Sequence, residues 1–504
     1  MLRLGAIIVG ALALAGPARA EAPRVKVESG VLIGTATDRA EIFRNVPYAA
    51  APVGDLRWAP PKRPLAWSGE RDASKNGTSC PQKMNPDGTP NEGSANGPTS
   101  EDCLQLNVFA PKGAKKAPVM VWIHGGSHKT GAGWIYDGQN FARDGVILVA
   151  INYRLGPLGY FAHPALTKAA GKEPVGNYGL MDQIAALEWV QRNIAAFGGD
   201  PKNVTVFGES AGGASTLAIL TTSKAKGLFS KAIVQSGGGW SAPKTLADKE
   251  GEGAAIATKL GLGGAQTSAA QLRDIPVDRL IAEASPGEYG PFVDGRLLKE
   301  TPAQAFAAGR ETDAPLIIGA NSGEDSLLGR KLADPAGMAA TIPAETRAAY
   351  ADAAAKGDEA LVRAAFGDRY MVAPARWLAG EAADGKPAWL YHFSYVGSRF
   401  RPFGVTTAAH AAEIQYVFEY WGRRTPESMV ADDDRAMARL MHGCWVAFAR
   451  TGAPTCDITW PAYDPATDQL VEFGPQSGVR SAFRKPQLDA QEKAALPSLA
   501  LSAN

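Results

Sequence analysis

Two short segments, Val119 to Ile123 and Val146 to Ile151, are apolar at every position and rich in β-branched residues. A strand with one wet face alternates apolar and polar side chains, so uninterrupted runs of this length describe strands buried on both faces. Similar runs recur at Val204 to Phe207, Ala232 to Val234, Leu316 to Ile318 and Trp389 to Phe393. Between them, Leu180 to Phe197 carries Ile184, Leu187, Val190 and Ile194 near helical spacing, and Asp200-Pro201 is expected to turn the chain into the next strand. The Ala-rich stretch from Ala336 to Ala383, with charges interspersed, predicts helices packed over the sheet rather than a linker. Strands alternating with helices imply an α/β fold with a mostly parallel central sheet and helices on both faces. We find no internal repeat and no interdomain linker, so residues 21–504 read as one domain, although length alone would allow about three.

Residues 1–20 have the charged start (Arg3), short apolar run (Leu4 to Leu14) and small-x-small end (Ala18-Arg19-Ala20) of a secretory signal peptide cleaved after Ala20. The run is shorter than the roughly 20 apolar residues a membrane span needs, and no later stretch approaches that length. An exported protein, periplasmic or secreted, is expected. The formal charge of +1 includes Arg3 and Arg19; without them 50 basic residues face 51 acidic ones, a balance that gives no footing for nucleic acid or an anionic membrane. Four cysteines in an exported chain can pair in three ways. Cys80 and Cys103 bracket a loop rich in Gly, Pro, Asn and Ser, and Cys444 and Cys456 flank a second loop, so these two pairings are favoured. No Cys-x-x-Cys or His-Glu-x-x-His spacing occurs, so no metal site is expected.

Gly208-Glu209-Ser210-Ala211-Gly212 stands between the strand ending at Phe207 and the apolar run Leu217 to Leu220. A Gly-x-Ser-x-Gly at a strand-to-helix turn holds its serine in a strained conformation, and the flanking glycines remove side chains that would clash there. A serine hydroxyl needs a base to take its proton and a carboxylate to orient that base. In such folds these follow the serine in the order acid, then histidine, which leaves His392, His410 and His442. His392 falls in a strand candidate and His442 in a helical pattern. His410 follows Thr406-Thr407-Ala408-Ala409, a loop of small residues, and is the expected base. Glu324 and Asp325 both stand just beyond the strand at Leu316 to Ile318, and either fits the acid. His124-Gly125-Gly126 follows the strand Val119 to Ile123, where such a loop supplies backbone N–H groups to an oxyanion, with another from Ala211.

These residues, together with Phe43 to Ala49, Ser100 to Leu104, Asn152 to Gly156 and Asn177 to Gly213, resemble the type B carboxylesterase and cholinesterase-like family over nearly the whole chain after residue 20. The resemblance implies an α/β-hydrolase fold with helical insertions over the active site. It implies ester hydrolysis through an acyl-enzyme, with a small-molecule ester as substrate and no cofactor. It implies Ser210, Glu324 and His410 as the triad, Gly126, Ser127 and Ala211 as the oxyanion hole, and a disulfide between Cys80 and Cys103. Glu324 is preferred because the family's acid precedes a Gly, a position that Asp325 takes here.

Two departures bear on substrate. Residues 81–102 contain no aromatic residue, so the choline-binding tryptophan of cholinesterases has no counterpart. The family's third loop glycine is Ser127, followed by His128, which is expected to face solvent. Arg399 and Arg401 precede His410 and are read as a solvated basic loop, with recognition of an anionic ester as the alternative. Two other functions compete: a binding or adhesion module, as in cholinesterase-like domains that have lost the nucleophile, and a triad acting on amides or carbamates. The complete Ser, Glu and His set argues against the first.

Overall fold

The computed structural model describes residues 22–84, 95, 97–240, 242–284, 287–382, 384–422, 425–499 and 501; the expected signal peptide lies outside them. Among the described residues eleven strands form one sheet: β1 (Thr35–Ala36), β2 (Glu41–Pro47), β3 (Gln105–Ala110), β4 (Ala117–Ile123), β5 (Ile147–Ile151), β6 (Gly199–Glu209), β7 (Lys231–Gln235), β8 (Leu316–Asn321), β9 (Ala388–Phe393), β10 (Gln469–Phe473) and β11 (Gly478–Ser481). Their order is β11-β10-β9-β8-β7-β6-β4-β5-β3-β2-β1. The block from β10 to β5 is parallel throughout, while β11 and the β3, β2, β1 edge pair antiparallel. A small second sheet joins Arg24–Val27, Gly30–Ile33 and Glu70–Asp72.

The all-apolar runs are buried on both faces, as their composition required. Val119, Val121 and Ile123 of β4 and Val204 and Val206 of β6 enter one core layer. Met120 and Trp122 of β4 and Phe207 of β6 enter the other. Each such side chain, fully withdrawn from water, contributes roughly 1.5–3 kcal/mol. The first layer is closed by α1 (Tyr178–Asn193), α2 (Ala211–Thr221) and α3 (Ala373–Ala382). The second is closed by α4 (Asp432–Thr451), through Met437, Met441, Trp445 and Phe448.

Two expectations need correcting. Asp200-Pro201 lies inside β6 rather than in a turn before it; the ladder shifts register between Ala117 and Val119 of β4, and the proline, which has no N–H to donate, sits where the pairing is broken. Of the helices between Ala336 and Ala383, α3 lies on β8 and β9. Those before it surround a small core of their own, formed by Leu332, Ala339, Tyr350, Leu361, Val362 and Ala365. Both favoured disulfides are present, Cys80 to Cys103 and Cys444 to Cys456. Among the described residues no helix is long and apolar enough to cross a membrane.

The loop leaving β5 is fixed by a buried ion pair. The Arg154 guanidinium donates to both oxygens of Asp182 at 2.8 Å, and the Arg154 backbone N–H donates to Oδ2 at 3.0 Å. The side chains are 3% and 0% exposed, so neither charge can fall back on water. Removing one partner of such a pair strands the other charge at a cost of about 3–5 kcal/mol. Asp182→Ala is therefore expected to lower the free energy of urea unfolding by about that much. A change below about 1 kcal/mol would show that the pair contributes little.

Candidate active site

Ser210 occupies the tight turn between β6 and α2, with φ 56° and ψ −122°, a conformation of the kind that costs roughly 1–3 kcal/mol. Two contacts explain the flanking glycines. A Cβ on Gly208 would lie 2.5 Å from the Gly212 carbonyl group, and one on Gly212 would lie 1.9 Å from the Ile123 carbonyl oxygen. The Ser210 N–H donates to Gln235 O at 2.9 Å, which fastens the turn to the end of β7.

The loop after β4 runs beside this turn. A Cβ on Gly125 would be 3.1 Å from that of Ser210, and Gly126 adopts φ +105° where a Cβ would strike Thr130 O at 2.2 Å. Ser127 and His128 follow at φ 55° and 56°. This succession of positive φ values rolls the loop inward, and His128 is buried rather than facing solvent. Its Nε2 lies 3.0 Å from Ser215 Oγ on α2, and its carbonyl accepts the Gly156 N–H at 2.6 Å. Burial pulls the His128 pKa down to about 4, which keeps the ring neutral at physiological pH. The Ser127 side chain is the one that faces outward. Among the described residues, the N–H groups of Gly126, Ser127 and Ala211 donate to no other part of the chain. Ala211 opens α2, where an unspent N–H is the rule.

His410 Nδ1 lies 2.5 Å from Glu324 Oε2, and Nε2 lies 3.1 Å from Glu209 Oε1, the residue before Ser210. Glu324 and His410 lie 86 residues apart in sequence. They are joined by a parallel bridge between Gly323 and Ala409, with Gly323 N–H donating to Ala408 O at 2.7 Å. The N–H groups of Ala408 and His410 donate to Ser322 Oγ and Ser326 Oγ at 2.8 and 2.9 Å. Glu324 thus reaches His410, whereas Asp325 turns toward Arg363, 3.5 Å away.

Burial by itself would lower the His410 pKa; the negative charges of Glu209 and Glu324 outweigh it and raise the value to about 9. For Glu324 burial acts upward, but the His410 ring and the donors Ser236 Oγ (2.6 Å) and Asn321 N–H (2.7 Å) hold the carboxyl below its ordinary value. A third carboxyl, Glu413, is fully buried behind them and accepts from Gln235 Nε2 at 2.9 Å and Asn321 Nδ2 at 2.6 Å. Burial raises its pKa, and the nearby Glu324 charge adds to the rise.

Sequence reasoning missed Ser236, Glu209 and Glu413 as parts of this cluster. Ser236 had a positional signal, as the first residue beyond the carboxyl end of β7 next to the Ser210 strand; Glu413 had none. The other histidines lie elsewhere: His392 is buried in β9 against the Phe483 ring, and His442 bonds Val417 O and Asp144. Arg401 pairs with Asp433 at 2.6 Å, and Arg399 stacks on Phe400. Asp144, Glu419 and His442 could together ligate a metal, but the Arg143 guanidinium already bonds both carboxylates, at 2.5 and 2.6 Å.

The carboxylesterase family model matches residues 21–491. The chain is 34% identical to a fumonisin B1 esterase of Sphingopyxis macrogoltabida, over 94% of this chain and 90% of that protein. It is also 34% identical to a para-nitrobenzyl esterase of Bacillus subtilis, over 89% and 94%. A solved PNB esterase structure superposes with a TM-score of 0.80 at 32% identity, over 93% of this chain and 99% of that one. The chain belongs to the carboxylesterase family and is an α/β-hydrolase acting on carboxylic esters.

Proposed function

We propose that Ser210 is the nucleophile, His410 its general base and Glu324 the acid that orients the base. The observation that supports this most is the His410 to Glu324 contact, held by the bridge between Gly323 and Ala409 and by two serine hydroxyls, in the same sheet end as the strained Ser210 turn. Ser210 Oγ attacks the ester carbon as its proton passes to His410. The carbonyl oxygen becomes an oxyanion that accepts from the N–H groups of Gly126, Ser127 and Ala211. Collapse of this intermediate breaks the bond to the alcohol oxygen, which leaves with the proton from His410, and Ser210 keeps the acyl group. Water then repeats the sequence, giving the carboxylic acid and free serine. Neither a metal nor a cofactor takes part. The names of the relatives support small organic esters, para-nitrobenzyl esters among them, as substrates. The two disulfides support an exported protein, periplasmic or secreted, with residues 1–20 as its signal peptide.

Ser210→Ala is expected to lower turnover of para-nitrophenyl acetate at least ~10³-fold with unchanged circular dichroism. An organophosphate should label Ser210, and EDTA should leave the rate unaltered. A folded Ser210→Ala enzyme that stays active would remove the assignment.

Only neutral imidazole can take the serine proton, and His410 is protonated below its raised pKa. The rising limb of kcat/KM should therefore sit above the ordinary imidazole value of ~6.5, toward about 9, and activity should be lost as pH falls through it. Glu209→Gln deletes a negative charge beside Nε2 and should move that limb to lower pH. A limb at or below pH ~6 in the unmodified enzyme would rule out this electrostatic arrangement.

At Ser127 the backbone, not the hydroxyl, is the proposed donor. Ser127→Ala should keep activity within about tenfold. Ser127→Pro loses the N–H and cannot adopt φ 55°, so its loss should be far larger. If Ser127→Ala, still folded, fell as far as the proline variant, the hydroxyl would be the participating group.

A further inference from the structure

Ser127 and His128 are successive residues with side chains in the left-handed region, at φ 55° and 56°. One such residue is uncommon, and a pair persists only where its surroundings hold it there. Ser127 supplies no hold, because its side chain is exposed. His128 is the residue that does. It is 5% exposed, and both its backbone and its ring are bonded inward. Its carbonyl accepts the Gly156 N–H at 2.6 Å, from the loop that Arg154 and Asp182 fix.

The two ring nitrogens reach different elements. Nε2 lies 3.0 Å from Ser215 Oγ, in the second turn of α2. Nδ1 faces the Tyr289–Gly290 peptide, where a Cβ on Gly290 would lie 3.0 Å from it and where the Tyr289 backbone favours a proton on the ring. A proton on Nδ1 leaves the Nε2 lone pair to accept the Ser215 O–H. Ser215 Oγ in turn accepts from Nε2 of Gln183, the neighbour of Asp182 on α1, at 3.0 Å. Ser215 and Gln183 are fully buried, so water does not compete for these bonds. The ring also meets Tyr160 edge to face, with the centroids 5.0 Å apart.

We infer that His128 is a positioning residue for the oxyanion hole, whose two halves its ring hydrogen bond to Ser215 keeps in register. The inference rests on the roles proposed for Ser210 and for the N–H groups of Gly126, Ser127 and Ala211. Those donors come from two separate elements, the loop after β4 and the start of α2, yet all have to point at one oxygen. A displacement of about 1 Å in such an arrangement costs on the order of 10²-fold in rate. His128 directly follows one donor, Ser127, and Ser215 lies four residues beyond another, Ala211, so a single hydrogen bond spans the two elements. The ring acts through the backbone at Ser127 and not by contact with the substrate.

His128→Phe keeps the ring shape and the contact with Tyr160 but can bond neither Ser215 nor the Tyr289 backbone. The Ser215 hydroxyl can then turn to the carbonyl four residues back in its helix, so the fold is expected to survive. For para-nitrophenyl acetate kcat should fall at least about tenfold with KM within about threefold, because the donors are misaligned against a charge that develops only after binding. A trifluoromethyl ketone, which adds to Ser210 and presents an oxyanion to the same donors, should bind at least about tenfold more weakly. His128→Gln, whose amide reaches the position of Nε2, should recover part of the loss, and His128→Asn, which reaches only that of Nδ1, should not. Ser215→Ala removes the same bond from the helix side and gives the reading where the phenylalanine variant does not fold. It should lower kcat alike, and the double variant should be no worse than either single one. Folded His128→Phe and Ser215→Ala enzymes that both fall short of these losses, or rescue by Asn in place of Gln, would overturn the positioning role while leaving the esterase assignment intact. An unmodified enzyme that an organophosphate does not label at Ser210 would overturn the proposed nucleophile, and the positioning role with it.

Discussion

The contact on which the rest of the site depends is that of Gly212 against the Ile123 carbonyl, where not even a methyl group fits. It brings the first turn of α2 onto the end of β4, so the N-terminus of the helix and the loop leaving the strand face a single point. Ser210 accepts a positive φ because β6, α2 and the Gln235 carbonyl fix the chain on both sides of it. The loop from Gly125 to His128 can then lie beside the serine, because its own glycine has no side chain to separate them. Backbone packing has thus already set the distances at which side chains act. The buried His128 ring extends the same logic: by bonding Ser215 of α2 it fixes the loop to the helix it must stay aligned with.

Around that frame the electrostatics are unusually one-sided. Glu209, Glu324 and Glu413 are all almost wholly buried, and their charges act together to raise the pKa of the His410 ring. Three ionised carboxylates packed so closely would repel strongly in a medium of low dielectric. The burden is divided by environment: Glu324 has donors that favour its charged form, while the raised pKa of Glu413 favours the neutral acid. In the proposed mechanism His410 becomes an imidazolium for a moment, and this surrounding is already arranged to accept it without reorganisation.

Much of this was legible in the sequence, for physical reasons that differ by element. The runs at Val119 and Val146 announced doubly buried strands because no other environment tolerates them, and Gly208-Glu209-Ser210-Ala211-Gly212 announced the turn because only glycine fits its flanks. Asp200-Pro201 misled because proline marks both turns and breaks within a strand, and only pairing with β4 distinguishes the two. His128 misled because a polar residue in a loop is usually solvated, and the consecutive positive φ values that bury it have no signature in residue type. Ser236 and Glu413 reach the site through sheet order and burial, which a linear reading of the chain does not contain.

The bridge between Gly323 and Ala409 carries a consequence for how such a chain can diversify. The segments that carry Glu324 and His410 are tied to one another directly, by three backbone N–H donors whose acceptors are the Ala408 carbonyl and the Ser322 and Ser326 hydroxyls. The stretch between them begins with helices that have a small core of their own, before α3 and β9 return to the sheet. Changes of helix length there, away from Arg363 and Gly367 where the stretch touches Asp325 and Glu324, leave the Glu324 to His410 contact in place. The shape of that helical region and the geometry of the Glu324 to His410 pair are in this sense separately heritable.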